Sequence, residues 1–215
     1  MSKKKILVHT ILFLFTFGIG NIIYIYYTHK KKNNIVLTID SHSELANDDD
    51  FLERELMYKK LDVLNQKYKA YVNKHYSLIE KIGFRYSVAI NQKSIFNKET
   101  NICIDLCLED INLAPELKKY FSEESIIRGE ELNLPTYPSF KYLAMIYEKQ
   151  QDYLNAIKIC IKAIKLGFLR DGTTGGMQGR LAKLIKKYNQ QNNSNIQYDY
   201  EKNVIYDDNT GEIIY

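Results

Sequence analysis

Apolar and polar positions follow several rhythms along the chain, and each rhythm predicts a different element. From Ile6 to Tyr27, ILVHTILFLFTFGIGNIIYIYY, no residue carries a fixed charge. As a helix this stretch would measure roughly 33 Å at about 1.5 Å per residue, enough for a hydrocarbon core of ~30 Å. Further on, Met57, Leu61, Leu64, Tyr68, Tyr71, His75, Leu78 and Ile82 recur by fours and threes, widened by Val72 and Ile79. That spacing predicts a long amphipathic helix over 51–83 whose seam either packs within the chain or pairs with a second copy as a coiled coil. The segment FRYSVAI, 84–90, alternates as a strand does but lies among helices, so both readings stand. ETNICIDLCLEDINLAP reads as a helix ending before Pro115, and ELKKYFSEES as a short one after it.

In YLAMIYEKQQDYLNAIKICIKAIKLG, 142–167, the rhythm changes again: Ala144, Ala156 and Ala163 stand among Leu143, Tyr147, Tyr153 and Ile164. Two helices approach closely only where side chains shrink to a methyl, so these alanines predict a tight crossing, its seam filled by Leu143, Tyr147, Ile157, Cys160 and Ile164. GMQGRLAKLIKKYNQ then reads as an amphipathic helix with Leu181, Leu184 and Ile185 on one face. In the tail, 195–215, VIYDDNTGEIIY sets two apolar runs around Asp-Asn-Thr-Gly, a hairpin signal. Such a hairpin either packs on the helices, stays disordered, or adds to a partner's sheet edge.

The kinds and spacing of residues from Tyr137 to Arg170 resemble one tetratricopeptide repeat, a helix-turn-helix unit of about 34 residues. Phe168 lies near where the family's closing proline is usual. The segment with Cys103, Cys107 and Pro115 occupies the second-helix register of a degenerate repeat, with Asp110 where a small residue is expected. The resemblance implies an α-solenoid over 84–194, closed by the helix after Gly179 as a cap. It also implies that the first helix of each unit lines a concave groove, whose positions fall on Lys141, Met145, Glu148 and Lys149. A cation, a pliable thioether and a second cation on one stripe suit an acidic or C-terminal carboxylate peptide with one apolar anchor.

Composition sharpens this mainly α picture. Three prolines and ten glycines in 215 residues leave long uninterrupted segments. The formal charge of +4 is concentrated at the start: residues 1–33 hold six lysines and no acid, leaving 24 basic and 26 acidic groups elsewhere. That balance gives no support to a nucleic-acid-binding surface on the folded part. The six lysines instead bracket the apolar segment, and Tyr24, Tyr26 and Tyr27 suit headgroup anchoring, so 1–33 is expected to be a membrane anchor contacting lipid. It resembles short bacterial and phage anchors of the form His-x6-Thr-x-Gly, here His9, Thr16 and Gly18. Lysines tie on the two sides, so a spanning helix and a bent insertion at Gly18, Gly20 and Asn21 both stand. A polar connector, 34–50, follows, with Asn47 or Asp48 as a helix cap. Three cysteines make no disulfide framework and place the folded part on the cytoplasmic side.

Candidate chemistry is sparse. DGTTGGMQGR, 171–180, is the one glycine-rich loop, but it lacks the Gly-Lys-Ser/Thr ending of a phosphate loop. It is expected to serve as a turn, with Thr173 or Thr174 as N-cap and Gly179 allowing close helix packing. Cys103 and Cys107 share a helix face without the histidines of a metal site, and Glu123 and Glu124 read as solvated surface. No catalytic group, cofactor or metal is expected. The leading expectation is therefore a membrane-anchored protein–protein interaction module. The alternative is an oligomeric membrane-active or phage-exclusion protein acting through its membrane segment and coiled-coil-like helix, and a phosphate-handling enzyme is a weaker third. Removing residues 1–33 is expected to give a soluble, still helical protein. Fractionation of the truncated chain checks this, and retention in membranes without aggregation refutes the anchor.

Overall fold

The computed structural model describes residues 48–215, with side chains from residue 50. The membrane anchor, nearly all of the connector and the proposed Asn47 cap lie outside the described residues. Within them, no helix is long and apolar enough to cross a membrane.

Six helices pack together, an arrangement compatible with a helical repeat, and a small antiparallel sheet follows. Helix α1 spans Asp48–Ile90, α2 Lys98–Ile111, α3 Ala114–Arg128, α4 Pro138–Lys149, α5 Tyr153–Leu166 and α6 Gly176–Asn192. Strands β1, Ile196–Asp199, and β2, Val204–Asp207, complete the order.

Helix α1 is 43 residues long, about 64 Å at 1.5 Å per residue. It passes through 84–90, so the expected boundary at residue 83 falls inside it. The reason is visible in the buried stripe: after Ile82 come Tyr86 and Ala89, both buried, at helical spacing. Gly83 meets no neighbour that would require a break. The seam is used inside the chain, with Leu61, Leu64, Tyr68, His75, Leu78 and Ile82 all buried, as expected of the reading in which it packs within the chain. Tyr71 is largely exposed and Val72 turns inward instead, because a seven-residue rhythm drifts against 3.6 residues per turn.

α1 serves two successive partners, running antiparallel to α2 and then to α3. Against α2, Arg85 pairs with Glu99 at 2.5 Å, the Cys103 thiol approaches the Ile82 carbonyl at 3.8 Å, and Lys74 pairs with Glu109 at 2.8 Å. Against α3, Tyr68 donates to Glu123 at 2.7 Å and Tyr120 to Asn65 at 2.9 Å. α2 then packs on α4, α4 on α5, and α5 on α6. Local signals fix these ends: Asn97 caps α2 by accepting from the Thr100 N–H, Pro115 and Pro138 open α3 and α4, and Asp152 caps α5. Gly167, at φ +88°, closes α5 in the left-handed conformation.

The α4–α5 crossing forms as the alanines require. Ala144, Ala156 and Ala163 are fully buried with Leu143, Ile157 and Cys160. Phe168 is buried too, its ring 4.7 Å from that of Tyr137 and 6.1 Å from that of Phe140, so an aromatic cluster locks the end of the unit.

Asp110 is the polar centre of this packing. It is fully buried near the end of α2. Its carboxylate lies 2.8 Å from His75 Nδ1 on α1 and accepts from the Ser139 hydroxyl of α4 at 2.5 Å, while its carbonyl accepts from Tyr137 OH at 2.7 Å. Burial pushes the Tyr137 hydroxyl far above its ordinary pKa, so it remains a donor. One residue thereby ties α1, α2 and the start of α4, which is why a carboxylate stands where the sequence suggests a small residue.

In the tail, β1 and β2 pair antiparallel, Ile196 opposite Asp207 and Tyr198 opposite Ile205. Ile196 and Ile205 are buried, so the sheet packs on the helices. The turn at Asp-Asn-Thr-Gly forms as well: Asp207 N–H donates to the Glu212 carbonyl at 2.9 Å and Tyr206 bridges Ile213. The main ladder, however, closes around Tyr200–Asn203, where Asp199 accepts from the Glu201 and Lys202 N–H groups. Replacing Asp110 by alanine is expected to cost about 3 kcal/mol, since it takes the carboxylate partner away from buried His75 and Ser139 while leaving the backbone carbonyl that Tyr137 uses. Chemical denaturation checks this, and an unchanged midpoint would remove Asp110 from its central place.

Candidate functional site

The face holding the predicted binding positions is assembled from three helices. From α1, Tyr86 is buried with its ring 4.6 Å from that of Tyr142, and its hydroxyl reaches Met145 Sδ at 3.9 Å. Burial raises the Tyr86 pKa, keeping the hydroxyl protonated. From α6, Arg180 and Lys187 both reach Glu148, at 3.7 and 2.7 Å. Lys187 also lies over the Tyr153 ring at 6.0 Å, and its bond to Glu148 raises its pKa.

The four expected positions thus share α4 but not one condition. Met145 is partly covered by Tyr86, and Glu148 is held by two α6 cations. Lys141 is half-buried and reaches the glycine loop: a Cβ added to Gly172 would lie 3.6 Å from its Nζ. Lys149 is exposed. Sequence reasoning missed Tyr86, Arg180 and Lys187 here. The amphipathic pattern of α6 puts Arg180 and Lys187 seven apart on one side, but only the packing of α6 brings that side to Glu148.

The loop before α6 is filled by its own anion. Asp171 is buried, accepts from Thr173 N–H at 2.9 Å and Thr173 Oγ1 at 2.5 Å, and pairs with Arg180 at 2.9 Å. Burial pushes its pKa up, but the bonds from Thr173 and Arg180 outweigh burial and hold the carboxyl below its ordinary range. A phosphate would have to compete with this carboxylate. The expected cap is also corrected: the N-cap is Gly175, with no side-chain cap bond. Gly179 is not a packing contact, since a Cβ there would meet nothing. Gly176 is the constrained position, at φ +54° with an added Cβ only 2.3 Å from the Leu169 carbonyl oxygen. The close approach lets Met177 N–H donate to that same carbonyl at 2.8 Å.

Other reactive groups are engaged in structure. The Cys107 thiol is pushed far up by its bond to Cys103 and by burial, and Cys160 up to about 12 by burial, which suppresses the thiolate. Among the described residues, no three His, Cys, Asp or Glu side chains group as metal ligands. His75, Asp110 and Ser139 stand in the wrong order for an activated nucleophile, because the hydroxyl bonds the carboxylate and not the imidazole. Glu123 and Glu124 stand at the surface in pairs: Lys67 and Tyr68 hold the first and Arg128 the second. A depression of about 500 Å³ lies between α1 and α3, with Val63, Leu64 and Ile127 as its apolar lining, Lys59 and Lys60 beside them, and the Lys67–Glu123 pair at its edge.

Compared with protein-family models, curated proteins and solved structures, the chain finds no match.

Asp171→Ala is expected to cost about 1–3 kcal/mol at neutral pH, the price of leaving buried donors without their acceptor. Because the folded pKa is lowered, the carboxylate's contribution is complete above the unfolded value near 4 and disappears as pH falls through the folded value. Thermal unfolding of both proteins from pH 7 downward checks this, with the gap expected to narrow in acid. A gap independent of pH would deny the ionic role.

Proposed function

We propose that this protein is a membrane-anchored protein–protein interaction module, with residues 1–33 as the anchor and a tetratricopeptide-like unit at α4–α5. The close helix crossing at Ala144, Ala156 and Ala163 supports the repeat reading, and the order α1–α2, α4–α5, α6 supports stacked helical hairpins around it.

The binding face is the surface of α4 toward α1 and α6. The observation that carries this reading is the charge there: Lys141, Lys149, Arg180 and Lys187 stand against two carboxylates, Glu148 and Asp171, both already paired. Met145 and Tyr142 supply apolar surface between the cations. An acidic peptide, or a chain-terminal carboxylate, with one apolar anchor fits that surface. The glycine loop supports this reading over phosphate handling, since its own Asp171 occupies the polar centre.

Replacing Lys141 and Lys149 by glutamate is expected to leave helicity unchanged, because neither side chain enters the alanine crossing. Capture of the partner from detergent-solubilised membranes is expected to fall at least tenfold, with its salt sensitivity reduced. Undiminished capture by a folded double variant removes this face from the proposal.

A further inference from the structure

The first turns of α1 extend past the helices that cover the rest of it. Leu61 and Leu64 are buried, whereas a second stripe on α1 is uncovered among the described residues: Leu52 is 61% exposed, Leu56 54% and Val63 71%. Their spacing of four and seven puts them on one side of the helix, about a third of a turn from the buried seam. Val63 also borders the depression between α1 and α3, next to Ile127.

Net charge is graded along the same turns: Asp50, Glu53 and Glu55 outnumber Arg54 before residue 58, and Lys59, Lys60 and Lys67 outnumber Asp62 after it. Glu53 and Glu55 lie on the N-terminal side of the stripe, and Lys59, Lys60 and Lys67 on the C-terminal side, where they surround the depression. Neither Glu53 nor Lys60 has an ionic partner among the described residues, and Glu55 holds Lys59 only through an exposed pair at 2.8 Å. Such a pair is weak and exchanges readily.

We infer that this stripe binds a second copy of the chain, antiparallel, about a two-fold axis between Met57 and Tyr58. A helical stretch that is net acidic before residue 58 and net basic after it is complementary to itself when reversed; a parallel pair would set like charges side by side. In the antiparallel register Leu52 of one copy lies opposite Val63 of the other and enters the depression beside Ile127. Glu53 and Glu55 then meet Lys60 and Lys59 of the other copy. Two-fold symmetry makes every contact twice over some 17 Å of helix, at about 1.5 Å per residue. The pairing uses neither the buried seam nor the α4 face, so it stands or falls apart from the proposed peptide site.

The test uses the full-length chain in a non-denaturing detergent, with mass measured by sedimentation. A dimer is expected, and E53K/E55K is expected to raise its dissociation constant at least tenfold with helicity intact. Adding K59E/K60E to that variant should restore dimerisation. Under mild oxidation L52C/V63C should give a covalent dimer while L52C alone and V63C alone do not. A dimer indifferent to E53K/E55K assigns association to another part of the chain and overturns the pairing. Cross-linking by the single L52C variant shows a parallel arrangement and does the same. A monomer throughout overturns it as well, and protection of residue 52 from thiol labelling in that monomer would give the stripe to residues 1–47 of the same chain.

Discussion

A buried carboxylate near the end of α2 sets the geometry on which the other contacts rest. Asp110 has no access to water, so its oxygens must be satisfied by protein, and the groups that satisfy them come from α1 and from the first turn of α4. Apolar packing alone tolerates small slips of one helix along another, because methyl groups are interchangeable. A carboxylate with two occupied oxygens and a bonded carbonyl does not, since a shift of one residue would strand polar atoms in the core. The register of α1 against α2, and the entry angle of α4, follow from that demand. The place of Tyr86 against Met145 follows in turn, about three turns further along the same face of the long helix.

Much of the architecture was legible because it depends on local or periodic features. The alanines of the α4–α5 crossing, the apolar face of α6 and the prolines before α3 and α4 each announce their elements. The long helix was legible in its middle and misjudged at its end, because Gly83 and the alternation of 84–90 imitate a break that the buried stripe at Tyr86 and Ala89 overrides. Asp110 reads as a departure from a repeat pattern until His75, Ser139 and Tyr137 are seen around it; those partners are 27 to 35 residues away and share no motif with it. In the tail, the Asp-Asn-Thr-Gly signal was sound, but the pairing of β1 with β2 depends on a turn built by the side chain of Asp199, which composition does not advertise.

For the binding face, sequence located a helix and its residues, not their company. Lys141, Met145, Glu148 and Lys149 are equivalent on a helical projection, and tertiary packing makes them four different things: a cation over a glycine loop, a thioether against a tyrosine, a paired carboxylate and a solvated lysine. The cations that α6 adds belong to a helix whose sequence speaks only of its own buried side. Charge at this face is therefore a property of the assembled helices and of no single segment.

The separations around Asp110 also bear on the order in which the chain organises itself. Its bonds to Tyr137, Ser139 and His75 close loops of 27, 29 and 35 residues, whereas α1 meets α3 at Glu123 across 55 or 56. Doubling a loop adds only about 0.6 kcal/mol of closure entropy, close to a threefold bias. That modest bias points the same way as burial, since the Lys67–Glu123 pair is exposed while the Asp110 contacts are dry. The contacts around the carboxylate are therefore the ones that cost the chain less entropy to close.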